Sequence, residues 1–176
     1  LFIFTQFILS VFCLGVDLLL LSSPPPTLGR LEAILRRRRG PVVGCEWDRV
    51  QAFASIAPYT IEEAYEVADA IERDDMADLA DELGDLQLQV VFHAQIATEA
   101  GHFTLDDIIS RICDKLERRH PHLFGDATES PGWEALKADE RRANPDQSAL
   151  AGVAKALPAL ERANKLQKRA ARTGFD

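Results

Sequence analysis

The sequence is poor in cysteine and in positive charge. Its three cysteines, among 176 residues, form neither a C-x-x-C motif nor a zinc-type spacing, so we expect no disulfide framework and no zinc site. Free thiols fit a reducing compartment, and we predict a cytoplasmic protein. The net charge of −8 argues against binding to the phosphates of nucleic acids.

The sequence also lacks the two-residue alternation of β-strands, so we predict an all-α fold. Hydrophobic periodicity and capping residues predict a short helix starting at Leu28 and further helices over 58–72, 75–99, 105–119, 133–143 and 158–172. Thr60 and Glu63 fit a capping box, and Thr104 fits an N-cap. Residues 44–48 and 121–132 are predicted loops. Short links between helices favour an antiparallel bundle with a four-helix core.

One long hydrophobic run stands at the N-terminus. Residues 2–21 are apolar apart from Gln6 and Asp17, a length sufficient to span a bilayer. No basic region precedes the run as in a signal peptide, and Asp17 would be costly in lipid. Three interpretations stay open: residues 1–27 are a leader of non-native origin, residues 1–22 are a membrane anchor, or the run is a buried helix.

Two pairs of carboxylates carry most of the functional information, Glu63 with Glu66 and Glu82 with Asp85. The i, i+3 spacing places each pair one turn apart on one helical face. Like charges this close repel each other unless a cation or a proton lies between them. Four carboxylates from two helices would suit Mg²⁺, with Mn²⁺ as an alternative, and would leave water positions for a phosphate substrate.

The two helices differ in what surrounds the acids. Residues 61–107 hold fourteen acids and one base, so a solvated acidic face is the simplest interpretation. On the first helix an apolar arc lies opposite the acids, which predicts that the arc packs inside and the acids face solvent. The arc comprises Ile61, Ala64, Tyr65, Val67, Ala68 and Ile71.

The second helix has apolar residues on both flanks of a stripe formed by Glu82, Asp85, Gln89 and His93. We therefore expect this helix to be buried on both flanks, where an unpaired charge is expensive. Metal binding and pairing with Lys115 or Arg119 are the two open explanations. His93 fits a hydrogen-bonded core histidine better than a ligand.

These residues resemble the MazG-type nucleoside triphosphate pyrophosphohydrolases of the all-α NTP pyrophosphatase superfamily. The family pattern E-E-x-x-E, spacer, E-x-x-D stands here as Glu62-Glu63-Ala64-Tyr65-Glu66 and Glu82-Leu83-Gly84-Asp85. Residues 56–60, 86–94, 114–122 and 157–160 are also similar to that family. The resemblance covers residues 28–176.

The resemblance implies a role for each matching residue. Glu63, Glu66, Glu82 and Asp85 would bind Mg²⁺, and Lys115 and Arg119 would bind triphosphate oxygens. Glu62 and Glu63 would be the catalytic carboxylates.

The motif at 44–48 departs from the family, which usually has proline where this chain has Glu46. Trp47 in that motif is a candidate contact for the base, with a core or lid tryptophan as the alternative. Many relatives carry a second, similar domain. We therefore predict a leader over 1–27, a MazG-like helical domain over 28–145 and a helical linker over 146–176 before a missing second domain.

The resulting hypothesis is Mg²⁺-dependent hydrolysis of nucleoside triphosphates to the monophosphate and pyrophosphate by a homodimer. The chief alternative is a non-catalytic helical module, an inactive first half of a tandem protein that binds nucleotide or protein. A di-iron bundle is more distant, because it needs two E-x-x-H motifs and we find one, from Glu117 to His120. No residue pattern selects a base.

Overall fold

The structure is a computed structural model that describes residues 27–126 and 148–175, with positions 129, 132 and 136 between them. The N-terminal apolar run lies outside the described residues, as does the helix predicted over 133–143 apart from position 136. The described part contains helices and no strand, which confirms the all-α prediction. The helices are α1 (Leu28–Arg38), α2 (Glu46–Val50), α3 (Phe53–Glu72), α4 (Met76–Glu99), α5 (Leu105–Arg119), α6 (Pro121–Phe124) and α7 (Ala159–Ala171).

The chain divides into two compact units after Ser110. In the first unit, four helices contribute to one apolar core: α1, α3, α4 and the start of α5. Its buried members are Leu35, Ile56, Val91, Phe92, Ala94, Ile96 and Leu105. This is the four-helix core that the sequence predicted.

Helices α3 and α4 form an antiparallel hairpin. Thr60 contacts His93, and Glu63 contacts Gln89, so positions rise along α3 as they fall along α4. The link between the helices is short, and Asp74 within it has a positive φ of 55°, which an aspartate tolerates better than most residues. This hairpin fixes which acids of the two helices face each other.

Helix α4 has the termini that the sequence predicted. The Asp75 carboxylate accepts a hydrogen bond from the Asp78 N–H at 3.1 Å. At the other end Gly101 has φ 69°, and the His102 N–H donates to the Ala97 carbonyl at 2.9 Å. These are the contacts of a Schellman motif, in which glycine takes the left-handed position. Thr104 is also confirmed as an N-cap, since it accepts from the Asp107 N–H at 3.2 Å.

Three local predictions were wrong. Helix α3 starts at Phe53 and not near 58, because Ser55 accepts the Ala52 N–H at 2.9 Å and Pro58 is accommodated inside the helix. Thr60 therefore does not cap it with Glu63; its hydroxyl donates to the Ile56 carbonyl at 3.3 Å. The predicted loops over 44–48 and 121–132 contain the short helices α2 and α6.

The residues of α2 explain why a helix forms there. Glu46 is its first residue, a position where the proline usual in the family is tolerated and where an acid is favoured by the helix dipole. Gly44 precedes it at a close approach, because a side chain there would overlap the backbone oxygen of Gly40.

The second unit contains the end of α5 together with α6 and α7. Helix α7 (Ala159–Ala171) confirms the helix predicted over 158–172. Across the residues that the structure describes, no helix is both long and apolar enough to cross a membrane.

Candidate metal centre

Three of the four predicted metal ligands lie together in the α3–α4 hairpin. Carboxylate oxygens of Glu63, Glu66 and Glu82 are all within 4.8 Å of one another, and we call these three residues the acid cluster. The i, i+3 spacing aligns the two glutamates of α3, and the antiparallel hairpin brings Glu82 to them. Asp85 is not a member of this group, although its charge acts on both Glu63 and Glu82.

The acids of the cluster oppose each other's ionisation. Burial first, and then the charges of Glu66, Asp78, Asp85 and Glu63, raise the pKa of the Glu82 carboxyl. Burial also raises the pKa of Glu63, with the charges of Asp85 and Glu66 in support and a hydrogen bond from Gln89 opposing. Among the described residues, no ion pair involves any of the four predicted ligands. The negative charge is therefore available to a cation.

The prediction that the acids of α3 face solvent is confirmed for Glu66 and was wrong for Glu63, and the apolar arc is not packed inside. Glu63 is half-buried against α4, whereas Ile61, Tyr65 and Ile71 are 46%, 54% and 57% exposed. Helix α4 is likewise not buried throughout, since Leu83 is 49% exposed and full burial begins near Gln89. Packing on a neighbouring helix, which helical periodicity does not specify, decides both outcomes.

His93 is a hydrogen-bonded histidine, as predicted. Its Nε2 lies 3.0 Å from the Thr60 hydroxyl, and its ring stacks on Phe53 at 5.9 Å between centroids. Burial lowers the pKa of His93, which keeps the ring neutral at physiological pH. Gln89, on the same stripe of α4, is also buried, with 7% of its surface exposed.

Trp47 lies at the surface of the first unit. It is 48% exposed and makes edge-to-face contacts with Tyr59 at 5.9 Å and with buried Phe92 at 6.5 Å. One part of the ring therefore packs on the core while another remains accessible. Glu62 is exposed on α3 and is not a member of the acid cluster.

The two predicted phosphate ligands lie in the second unit. Lys115 and Arg119 are both half-buried on α5, and their i, i+4 spacing places them on one face of that helix. Their role stays a prediction.

The sequence patterns did not reveal a second charged group in the first unit. Arg38 forms a two-point contact with Asp48, through Nε to Oδ2 and through Nη2 to Oδ1 at 3.0 Å. Arg39 binds the Glu99 carboxylate, with Nη2 at 2.7 Å from Oε2. We call Arg38, Arg39, Asp48 and Glu99 the arginine cluster. The residues next to Asp48 in the chain, Trp47 and Arg49, gave no indication that Asp48 would be fully buried.

The donor set of the acid cluster could hold a divalent cation such as Mg²⁺. Magnesium binds through carboxylates and keeps several waters, so it needs few protein ligands. Three convergent carboxylates with no ion pair among the described residues satisfy that requirement. Two half-buried acids with raised pKa values show that the protein tolerates an unfavourable charge density here, which a divalent cation would relieve.

Comparison with known proteins finds a family that matches the part of the chain containing this hairpin. Residues 51–124 match the family described as the MazG nucleotide pyrophosphohydrolase domain. That range contains the acid cluster, Asp85, Lys115 and Arg119, whereas Trp47 lies before it.

Two curated relatives and one solved structure are similar to the chain. The nucleoside triphosphate pyrophosphohydrolase of Escherichia coli (strain K12) is 52% identical over 155 residues, 85% of this chain and 59% of the relative. The nucleoside triphosphate pyrophosphohydrolase/pyrophosphatase MazG of Thermotoga maritima is 47% identical, over 83% of this chain and 57% of the relative. The chain thus spans less than two thirds of the length of these relatives. A crystal structure of a mazG-related protein from Thermotoga maritima aligns with a TM-score of 0.52 and 26% identity, over 66% of this chain and 100% of that chain.

Proposed function

The chain carries a domain of the MazG nucleotide pyrophosphohydrolase family, and on that premise we propose that it hydrolyses nucleoside triphosphates to nucleoside monophosphate and pyrophosphate with Mg²⁺ as cofactor. The observation that carries the proposal is the acid cluster, three carboxylates within 4.8 Å of one another. Such a group is costly to the folded protein unless it binds a cation.

We assign Mg²⁺ to Glu63, Glu66 and Glu82, with Asp85 as the fourth ligand. When bound, Mg²⁺ supplies charge neutralisation for the phosphates and activates water for attack at the α-phosphorus. Of the chain's own groups, Glu62 and Glu63 are our candidates to accept the proton of that water.

The remaining substrate contacts in our proposal come from two basic side chains and from one aromatic ring. Lys115 and Arg119, on one face of α5, would bind the non-bridging phosphate oxygens. Trp47 has an accessible part of its ring against which a base could stack. No feature of this contact selects one base over another, so we propose broad use of nucleoside triphosphates.

We also propose that two copies associate through the apolar arc of α3. Ile61, Tyr65 and Ile71 are about half exposed, which is unusual for large apolar residues aligned on one helical face. A second copy that covers them would bury the arc, which lies opposite Glu63 and Glu66 on α3.

The test is pyrophosphate release from a panel of nucleoside triphosphates with and without Mg²⁺. Glu82→Gln removes one ligand and should reduce kcat/KM by more than the 10–100-fold, about 1–3 kcal/mol, that is typical for the loss of an outer-shell partner. Asp81→Asn is the matched control, since Asp81 is exposed on the same helix and is outside the cluster. It should act like the parent.

Two outcomes would reject the proposal. Equal rates for the parent and Glu82→Gln would show that the cluster does not serve catalysis. Nucleotide binding without any pyrophosphate release would favour the non-catalytic module.

A further inference from the structure

Helix α4 carries two buried glutamine side chains that contact glutamates in the same way. Gln89 is 7% exposed, and its Nε2 lies 3.1 Å from Oε1 of Glu63. Gln95 is 8% exposed, and its Nε2 lies 3.0 Å from Oε1 of Glu99. An ionised carboxylate only accepts hydrogen bonds, so both amides must present their NH₂ groups.

The two glutamates differ in what else they contact. Glu99 is also bound by Arg39, whose guanidinium neutralises its charge. Glu63 receives the neutral amide of Gln89 and no Lys or Arg among the described residues. A neutral donor fixes a carboxylate oxygen without removing its charge, whereas a guanidinium would compete with a metal ion for that charge.

We propose that Gln89 is a positioning residue, whose amide holds one oxygen of Glu63 and so presents the carboxylate to a divalent cation in the acid cluster. This inference rests on the proposed function, because it assumes that the cluster binds metal. Outer-shell hydrogen bonds of this kind orient the ligands of a metal ion.

The experiment compares Gln89→Met with Gln95→Met. Each variant removes the amide donor from α4 and keeps a side chain of similar length. Mn²⁺ affinity is measured by electron paramagnetic resonance without nucleotide, and thermal unfolding of each variant is measured without metal. We expect Gln89→Met to weaken Mn²⁺ binding about 10-fold, within the range known for outer-shell partners. Gln95→Met should retain the parent affinity within about twofold.

The paired variants separate positioning from general loosening of the helix. Unchanged Mn²⁺ affinity in Gln89→Met, or equal weakening in both variants, would overturn the inference. If Gln89→Met does not fold, Gln89→Leu is measured in the same way with Gln95→Leu.

The inference and the proposed function can fail separately. A parent protein that binds Mn²⁺ and loses affinity in Gln89→Met, yet releases no pyrophosphate, supports the role of Gln89 and rejects the activity. A parent that binds no Mn²⁺ overturns the role of Gln89 whatever the activity assay shows.

Discussion

Glu82 and Glu99 lie on the same helix, but in opposite electrostatic surroundings. Glu99 belongs to the arginine cluster, where hydrogen bonds from Arg39 lower the pKa of its carboxyl. Glu82 belongs to the acid cluster, where burial and four neighbouring carboxylates raise its pKa. Near the turn between α3 and α4, Arg73 contacts Asp69, Asp75 and Asp78. The acid cluster thus lies between two places where arginine compensates acids.

The difference separates charges that stabilise the fold from charges kept for a ligand. Ionised Glu99 favours the folded state because its partner is already in place. Ionised Glu82 opposes the folded state of the metal-free chain, since the unfolded chain would separate the acids. Local features that reduce stability without compensation are expected at functional sites. Each prediction below tests this contrast.

The largest effect on stability should follow from removing an arginine side chain of the arginine cluster. Asp48 is fully buried, so Arg38→Ala leaves a buried carboxylate without its partner. We expect the free energy of unfolding to fall by up to about 3 kcal/mol, less than for a fully buried pair, because the Arg38 side chain is 44% exposed. Chemical denaturation measures this. Arg37→Ala, at an exposed neighbouring position, is the control, and an equal loss in both variants would contradict a structural role for the pair.

The same contrast explains what the sequence revealed and what it did not. Spacing alone predicted Glu63, Glu66 and Glu82 as one group, because helical periodicity and a short link bring such residues together. The ends of α4 were predicted equally well, since the expected range 75–99 matches the observed Met76–Glu99. Periodicity did not show that Glu63 packs against α4 while Glu66 stays exposed, since that depends on which side α4 packs.

Non-local contacts explain the other failures. The pair of Arg38 and Asp48 joins α1 to α2, and neither residue lies in a pattern that predicts it. Residues 44–48 looked like a loop because a five-residue helix is too short for a periodicity signal. Its formation depends on tertiary contacts such as that of Trp47 with Phe92.

Binding of Mg²⁺ at the acid cluster should raise the free energy of unfolding, and this gain should not depend on the arginine cluster. A ligand at ten times its dissociation constant adds about 1.4 kcal/mol to the free energy of unfolding. We expect that gain in the parent and in Glu99→Gln, and its loss in Glu82→Gln. Thermal unfolding with MgCl₂ measures it, with NaCl at matched ionic strength as the control. A gain that persists in Glu82→Gln would place the ion elsewhere.

Without metal, a Glu→Gln substitution should change the free energy of unfolding in opposite directions in the two clusters. Glu99→Gln removes an ion pair, and we expect a loss of up to about 1 kcal/mol, because the Glu99 side chain is 38% exposed and the pair is partly screened. Glu82→Gln removes repulsion and should raise the free energy of unfolding. Both are measured in EDTA near neutral pH. A loss of stability in both variants would mean that Glu82 is as well compensated as Glu99.

The smallest expected effect is the pH dependence of those two differences. The folded pKa of Glu82 lies above its ordinary value of 4.5, so the unfolded chain ionises first as pH rises. Glu82 therefore penalises folding only above about pH 4.5, and the penalty grows until the pH exceeds the folded pKa.

The folded pKa of Glu99 lies below 4.5. Its contribution to the free energy of unfolding is therefore complete above pH 4.5 and is lost as the pH falls through the folded pKa. Thermal unfolding of the parent and both variants in EDTA, from about pH 4 to about pH 8, should show the gain from Glu82→Gln growing with pH and the loss from Glu99→Gln constant once the pH is above about 4.5. A gain from Glu82→Gln that stays constant over this range would arise from altered packing, because only an ionising group ties stability to pH in this way.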